Sequence, residues 1–206
     1  MHSKPTYKVC RRLGAGVFDK CQTQKFVLSE AKHARFVKNA RRRTTSDFSK
    51  QLIEKQRVRF AYGVTERQLS RYVEESHRVS ILGVDPAKRM LEQFEMRLDN
   101  IIYRVGLAAS RRAARQLVSH GHVLVGGVRT TIPSRQMKEG DVFSVRERTR
   151  GLPIMTHIQQ TLDSATAPRW LSFDGKKLEG KVIARPNTDT TEMPGSVSAI
   201  LEYYSR

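Results

Sequence analysis

Three arginines in one short segment could bind phosphate. Arg111, Arg112 and Arg115 lie in the stretch SRRAARQLVS, residues 110–119, which has helical periodicity. At about 100° per residue, the arginines fall on one arc of the helix and the apolar side chains fall on another. The planar guanidinium group matches the geometry of phosphate oxygens. We therefore expect Arg111 and Arg115 to contact RNA, with Arg112 and Gln116 on the same face.

Two histidines and a fourth arginine lie just beyond this segment. His120 and His122 flank Gly121, a glycine expected to end the helix in a left-handed conformation. Either ring could stack on a base or donate to a phosphate, and for each one singly a packing role is an equal alternative. Arg129 follows the next turn, and we include it with the two histidines among the predicted RNA-binding residues.

The elements that must position these side chains form a small α+β unit. Apolar residues at three-four spacing predict a helix over 86–105, with a possible break near Glu95, and Ser110 is the predicted cap of the next helix. Gly126-Gly127 between two short β-branched runs predicts a hairpin, and a third strand is predicted at 142–145. We therefore predict a module over 97–158 with two helices packed on a short antiparallel sheet.

Residues 46–96 are predicted to be helical. Ser46 or Asp47 can cap the first helix, Gly63 ends it, and Thr65 with Gln68 has the spacing of a capping box that opens the second. The basic side chains of the first helix are expected on its remaining surface. Basic and aromatic side chains of both helices are further candidates for RNA contact. They are Lys50, Lys55, Arg57, Arg59, Tyr62, Arg67 and Arg71.

The two ends of the chain have weaker patterns. Residues 1–45 show little periodicity and include the run Arg41, Arg42 and Arg43, so we expect an extended basic arm that orders when it binds RNA. Short strands are candidates within 159–206, and periodicity leaves the final stretch 197–204 open between strand and helix.

Charge is the dominant global property of the 206-residue chain, which carries a formal net charge of +18. Residues 1–80 hold 19 Lys/Arg against 7 Asp/Glu, whereas residues 151–206 hold 6 of each. A polyanion is the partner that such an excess favours, so nucleic acid is the leading class. The neutral end is better suited to packing or to a protein neighbour. No stretch approaches the roughly 20 apolar residues of a membrane span, and no membrane partner is expected.

Catalytic and metal-binding patterns are weak by comparison. Arg97-Leu98-Asp99 resembles the catalytic-aspartate motif of RNA pseudouridine synthases, but Leu98 belongs to an apolar helix stripe, and we expect Asp99 on a solvated helix turn. Cys10 and Cys21 lack the short paired spacing of a zinc site, even with His2 and His33 added. We expect two reduced cysteines in a reducing compartment, no metal, no cofactor and no catalytic residue.

The module resembles the RNA-binding domain named after ribosomal protein S4, and the resemblance extends to nearly the whole chain. It is carried by the stretches QLIEKQRVRFAYGVTERQL, RLDNIIYRVGLAASRRAARQLVSHGHVLVGG, PRWLSF and the terminal LEYYSR. Their order and the total length resemble the small-subunit ribosomal protein S4 family of bacterial or organellar type. The opening 45 residues depart from the family, which often has more cysteines or a glycine-histidine-glycine element there.

This resemblance implies a structural protein of the small ribosomal subunit that binds the five-way junction of the rRNA 5′ domain early and nucleates assembly of the body. It implies contacts with neighbouring ribosomal proteins, notably S5, and a position near the mRNA entrance with a role in accuracy. It also implies a helical first domain upon which residues 159–206 pack back. The expected location is the ribosome, in the cytoplasm or an organelle interior.

Two other functions use a module of this kind. An RNA-modifying enzyme could carry it as a handle, but such an enzyme needs a catalytic domain beyond the module. A ribosome-rescue factor could also be built on it, but it would be expected to lack the matched N-terminal helices and to bind the large subunit.

Overall fold

The computed structural model describes residues 7–37, 46–151, 167–186 and 193–205. The chain divides into two compact units. The helical unit comprises Met1–Met90 together with Glu192–Arg206, and the module comprises Leu91–Thr191. The predicted α+β class is confirmed, because helices form the first unit and an antiparallel sheet with helices forms the second.

The helices and strands of the described residues are named here in chain order. The helices are α1 Tyr7–Leu13, α2 Gln24–Val37, α3 Asp47–Ala61, α4 Glu66–Ser80, α5 Pro86–Glu95, α6 Leu98–Arg104, α7 Arg111–Ser119, α8 Glu147–Arg150 and α9 Val197–Tyr204. The strands are β1 Val123–Val125, β2 Val128–Thr130, β3 Val142–Val145, β4 Leu171–Asp174 and β5 Glu179–Val182.

Local signals set the limits of α3 and α4. The Ser46 hydroxyl caps α3 by accepting from the Ser49 backbone N–H at 3.3 Å. Gly63 follows α3 with a φ of 63°, a conformation that costs a glycine little. Thr65 and Gln68 then form a reciprocal capping box at the start of α4. These features were predicted from the sequence, and the structure confirms them.

The expected extended arm is wrong where the structure describes it. Residues 7–37 form α1, two short 3₁₀ turns and α2. Leu13 and Val17 are buried against Ala61 of α3, and Arg57 donates from Nε to the Leu13 carbonyl oxygen at 2.7 Å. The segment therefore gains its order from packing on α3, which a periodicity search within residues 1–45 could not detect. Arg41, Arg42 and Arg43 lie outside the described residues.

The two cysteines also differ from expectation. Cys10 and Cys21 form a disulfide with a Cα–Cα distance of 6.4 Å, so the prediction of two reduced thiols is wrong. Both are buried with Phe26, whose ring meets Tyr7 edge-on at 5.3 Å between centroids. The turn after α1 brings the two positions within bridging distance, a juxtaposition that sequence spacing alone does not reveal.

The final segment of the helical unit is a helix, α9, which resolves the open choice between strand and helix. Ser196 caps it by accepting from the Ala199 backbone N–H. Within the helical unit, Tyr203 stacks on Phe48 of α3 with ring centroids 5.4 Å apart. Gln51 Nε2 also donates to Glu202 at 2.9 Å. Helix α9 is thus packed against α3.

The module is built on a five-stranded antiparallel sheet in the order β2-β1-β3-β5-β4. Gly126 and Gly127 make the predicted two-residue turn, both with positive φ, and β3 pairs with β1 as expected. Helices α6 and α7 share one buried core with this sheet, through residues such as Ile101, Ala114 and Val118. The predicted break near Glu95 is present, since Arg97 has an extended backbone between α5 and α6.

The sheet is larger than the sequence suggested. Residues 159–206 were expected to pack on the helical unit, but β4 and β5 pair within the module's sheet, and among the described residues of this range those from 193 to 205 lie in the helical unit. The Phe143 and Phe173 rings stack at 6.3 Å across Gly180, where a Cβ atom would overlap Phe143. Strand β5 pairs with the edge of β3. Val182 of β5 and Leu171 of β4 are both buried in the core of the module.

Candidate nucleic-acid interface

Helix α7 presents its polar face as the sequence predicted. Ser110 Oγ caps the helix by accepting from the Ala113 backbone N–H at 3.2 Å. Ala114 and Val118 are fully buried on the packing face, whereas Arg112 and Gln116 are exposed on the other. Burial of the small and branched residues therefore fixes which face of α7 meets solvent.

Arg115 is held by a buried carboxylate. Its Nε and Nη2 atoms both donate to Asp99 Oδ2, at 3.0 and 2.8 Å. Arg97, itself 1% exposed, donates from Nε to Oδ1 and from Nη2 to Oδ2 of the same carboxylate, at 3.0 and 2.8 Å. Asp99 is 4% exposed, so the expected position on a solvated turn is wrong.

Arg111 is held by a parallel arrangement one residue further along α6. Its Nε donates to Asn100 Oδ1 at 2.8 Å, and its guanidinium lies 4.5 Å from the centroid of the Tyr103 ring. Asn100 Nδ2 donates to the Glu95 carboxylate at 2.9 Å, and that carboxylate receives two further bonds from Arg104 at 2.8 Å each. Glu95 and Asn100 are buried, so this polar chain lies inside the module.

The turn after α7 gathers the two histidines and Arg129. Gly121 has a φ of 73°. The Arg129 guanidinium occupies the space that a Cβ atom at Gly121 would need, and it donates to the His120 carbonyl oxygen at 3.2 Å. His120 and His122 have ring centroids 5.9 Å apart. Partial burial, and then the charges of His120, Arg129 and Arg146, lower the pKa of His122. Cationic and donor groups therefore surround this turn.

Arg146 belongs to this cluster and was missed in the sequence. It is exposed, and its backbone N–H donates to the His122 carbonyl oxygen at 2.9 Å. The register that pairs Val123 with Val145 brings Arg146 beside His122. The predicted strand order could have revealed it, because antiparallel pairing brings the ends of β1 and β3 together.

In the helical unit, the Glu66 carboxylate binds two basic groups that we had assigned to RNA. Lys55 Nζ lies 2.6 Å and Arg59 Nη1 lies 2.9 Å from its carboxylate, and the Tyr204 hydroxyl donates to it at 2.6 Å. Burial would raise the pKa of Glu66, but the hydrogen bonds from Lys55, Tyr204 and Arg59 outweigh it and lower the pKa to about 2. Burial and the Glu66 bond raise the pKa of Tyr204.

Three predicted RNA-binding residues of α3 and of its C-terminal end have contacts within the helical unit. Lys55 is 5% exposed and lies 4.2 Å from the centre of the Tyr203 ring, so its expected surface position is wrong. Tyr62 is 3% exposed and is part of the packing. Arg57 donates to the Leu13 carbonyl and to Glu54 Oε1, each at 2.7 Å.

Three other predicted residues of the helical unit are exposed. Lys50 forms a solvent-facing pair with Asp47 at 2.9 Å. Arg67 and Arg71 lie one turn apart on α4, and both are exposed. The structure thus divides the sequence-predicted set into packed residues, such as Lys55, and residues that a ligand could reach, such as Arg67 and Arg71.

Within the ranges that the structure describes, no cluster of three or more histidine, cysteine or acidic side chains has the geometry of a metal site. Those ranges also contain no helix with the length and apolar character to cross a membrane.

Comparison with protein families identifies the class of protein that has this fold and these exposed cations. An S4 domain family model matches residues 96–143, and a model of the ribosomal protein S4/S9 N-terminal domain matches residues 2–94. The two matched ranges cover α6, α7, β1 and β2 of the module and the helical unit before it.

Three relatives match nearly the full chain, and each is a small ribosomal subunit protein uS4. The relative from Solidesulfovibrio magneticus is 41% identical over 202 residues, covering 97% of this chain and 96% of its own. The Halothermothrix orenii relative is 37% identical and covers 98% and 97%. The Desulforamulus reducens relative is 36% identical and covers 100% and 99%. The chain belongs to the uS4 family of small ribosomal subunit proteins.

Proposed function

We propose that this protein is a structural component of the small ribosomal subunit that binds small-subunit rRNA with cations of both units. The observation that carries the proposal is the similarity to uS4 proteins over 97% or more of the chain. The formal net charge of +18 supports it, because a chain with this excess needs a polyanion to neutralise it.

The finer role follows the family resemblance. The protein binds the junction of the rRNA 5′ domain, nucleates assembly of the body and lies near the mRNA entrance, where it influences accuracy. Neighbouring small-subunit proteins, S5 in particular, are its protein partners. Its working location is the ribosome, and the predicted division of labour assigns residues 46–96 and 97–158 to RNA.

Binding is dominated by phosphate contacts and by the shape of the RNA. The deep major groove of an RNA helix is closed to side chains, so a rigid cationic surface reads backbone geometry at a helical junction. The exposed candidates are Lys50, Arg67 and Arg71 in the helical unit, and Arg112, Gln116, His120, Arg129 and Arg146 in the module. Arg111 and Arg115, which are partly exposed, also belong to the proposed set. Arg41, Arg42 and Arg43 remain in the proposed set on the basis of their charge.

Catalysis by Asp99 is disfavoured by its surroundings. A nucleophile or general base must reach the reacting atom, whereas Asp99 is 4% exposed and is bonded to Arg97 and Arg115. A rescue factor is disfavoured by the N-terminal helical unit, which matches a ribosomal protein domain. Structural rRNA binding is the function that accounts for both units.

Co-sedimentation followed by footprinting tests the proposal. The full chain is mixed with separated ribosomal subunits depleted of uS4, and chemical footprints are then read on the bound RNA. We expect the chain to sediment with small subunits and to protect the 5′ domain. Sedimentation with large subunits, or turnover of rRNA that is lost in Asp99→Ala, would overturn the proposal.

A further inference from the structure

We propose that Asp99 and Asn100 are positioning residues that hold Arg115 and Arg111 in the geometry that binds RNA phosphate. Neither contacts solvent appreciably, since they are 4% and 2% exposed, so they act through the arginines of α7. This inference rests on the proposed function. It assigns a role in RNA binding to an acidic residue beneath a basic surface, where a negative charge is otherwise unfavourable.

The Asp99 carboxylate is fixed on both sides. Arg97 forms a two-point contact with it at 3.0 and 2.8 Å, which fixes the plane of the carboxylate inside the module. Arg115 then binds Oδ2 through Nε and Nη2 at 3.0 and 2.8 Å. Two bonds from one guanidinium set its orientation as well as its position. The Arg115 side chain is still 24% exposed, so solvent and a ligand can reach it.

Asn100 fixes Arg111 by a different chemistry. Its Nδ2 is committed to the Glu95 carboxylate at 2.9 Å, so its Oδ1 must face Arg111, from which it accepts at 2.8 Å. The Tyr103 ring lies 4.5 Å from the Arg111 guanidinium carbon and supports the plane of the group. Glu95 is in turn held by Arg104 through two bonds at 2.8 Å.

Ordering these side chains before binding raises affinity. A flexible arginine loses rotamer freedom when it docks on phosphate, which weakens binding by roughly three- to tenfold for each side chain ordered at that moment. Arg111 and Arg115 lie one turn apart on α7, so the buried network presents two guanidinium groups at a fixed separation. A fixed pair suits recognition of a rigid RNA junction by shape.

The direction in which one substitution changes RNA affinity distinguishes a positioning role from a purely electrostatic role. Replacing Asp99 with asparagine removes a negative charge from an RNA-binding surface, and electrostatics alone predicts tighter binding. Positioning predicts the opposite, because the neutral amide oxygen holds the guanidinium of Arg115 less firmly. The matched control is Glu147→Gln, which removes an exposed negative charge from the same module.

The experiment measures the affinity of the full chain for a transcript of the small-subunit rRNA 5′ domain over a series of salt concentrations. We expect Asp99→Asn to bind about three- to tenfold more weakly with an unchanged salt slope. Glu147→Gln should bind equally or up to about twofold more tightly. Equal or tighter binding by Asp99→Asn would overturn the inference.

A second variant keeps the test valid if Asp99→Asn fails to fold. Asn100→Ala leaves the net charge unchanged and removes the oxygen that accepts from Arg111 Nε, and about threefold weaker binding is expected. Unchanged binding would overturn the Asn100 half of the inference. NMR of the free protein adds a readout that global stability does not move. The Nε–H signal of Arg115 should exchange slowly with solvent in the wild type and rapidly in Asp99→Asn.

Failure of the inference can be told apart from failure of the proposed function. If the wild-type chain does not bind the transcript, the proposed function is overturned and the inference with it. If the wild type binds the transcript and the Arg115 Nε–H of the free wild type exchanges rapidly, only the inference is overturned.

Discussion

One carboxylate in each unit collects basic side chains, and the two differ in burial. In the module, the Asp99 side chain is 5% exposed and binds Arg97 and Arg115. In the helical unit, the Glu66 side chain is 45% exposed and binds Lys55 and Arg59. The same pairing of charges therefore occurs in a nearly dry environment in one unit and in a half-solvated one in the other.

The comparison shows that the number of basic residues is larger than the number of cations that a ligand can reach. Asp99 fixes Arg115 at the surface of the module, where that guanidinium keeps some exposure. Glu66 instead helps to bury Lys55 under Tyr203 and Tyr204 of α9, so this lysine serves the fold. The buried Asp99 carboxylate thus orients an arginine at the surface of the module, whereas the half-exposed Glu66 carboxylate helps to hold α9 in place.

The largest expected effect is on stability and comes from Asp99→Ala. Removing this carboxylate takes a charge partner away from the buried Arg97 guanidinium, which costs about 3–5 kcal/mol. Trp170, the only tryptophan of the chain, lies in the module core, so its fluorescence in urea reports unfolding of the module. The helix signal of circular dichroism should change less at the same urea concentration.

The matched variant for this comparison is Glu66→Ala. Because Glu66 is half-solvated, and because the buried Lys55 keeps its contacts with the Tyr203 and Tyr204 rings, the loss of Glu66 should lower the stability of the helical unit by about 1 kcal/mol or less. A loss as large as that of Asp99→Ala would mean that burial does not distinguish the two carboxylates.

The next largest effect on stability is expected from a substitution of glycine by alanine. In Gly180→Ala the new Cβ would overlap the Phe143 ring and lie 2.9 Å from the Ser172 carbonyl oxygen. Overpacking of this kind costs about 1–3 kcal/mol, again read from Trp170 fluorescence. Gly16→Ala in the helical unit is the control, because among the described residues no atom beyond its chain neighbours lies within 4 Å of its Cβ position. Equal effects at the two glycines would contradict the tighter packing of the sheet.

Much of this fold could be predicted from local signals. Ser46, Thr65 and Ser110 cap helices where their side chains and spacing indicated, and the Gly126-Gly127 hairpin forms as expected. These features depend on residues within a few positions of one another. The exposed face of α7 was also predictable, since the apolar arc of its wheel determines which side packs.

Long-range pairings were not predictable in the same way. Lys55 was assigned to the surface because nothing within its own helix shows that Tyr203, far along the chain, lies over its ammonium. The solvated position expected for Asp99 was wrong because Arg97 and Arg115 neutralise its charge, which lets the carboxylate be buried. Pairing of β5 with β3 likewise depends on residues that lie far apart in sequence.

RNA affinity offers the third test, with an effect of about tenfold, or 1.4 kcal/mol. The double variant Arg67→Gln with Arg71→Gln removes two exposed cations of α4. Its affinity for the 5′-domain transcript should fall, and the slope of log affinity against log salt should flatten by about 0.7–0.9 for each phosphate that the variant no longer neutralises. Fluorescence anisotropy over a salt series measures both quantities.

The control for that test removes the same charge elsewhere. Lys176→Gln with Lys177→Gln changes two exposed lysines of the turn between β4 and β5. If net charge alone governs binding, the two double variants should behave alike, and the assignment of Arg67 and Arg71 to the interface would then be withdrawn.

The smallest expected effect is the acid sensitivity of the helical unit. The folded-state pKa of Glu66 is about 2 against an ordinary value of 4.5, because its hydrogen bonds to Lys55, Tyr204 and Arg59 outweigh burial. A lowered carboxyl pKa means that the folded state holds the proton less tightly than the unfolded state. Its contribution to stability is therefore complete above pH 4.5 and is lost as the pH falls towards about 2.

Comparison with Glu66→Gln isolates this contribution from the other carboxyl groups that titrate in the same window. Thermal unfolding followed by circular dichroism should show a wild-type advantage above pH 4.5 that shrinks between pH 4.5 and about 2. The advantage should stay below about 1 kcal/mol, because solvent screens a half-exposed pair. An advantage that grows as the pH falls would reverse the sign, and it would show that Glu66 is held in its protonated form.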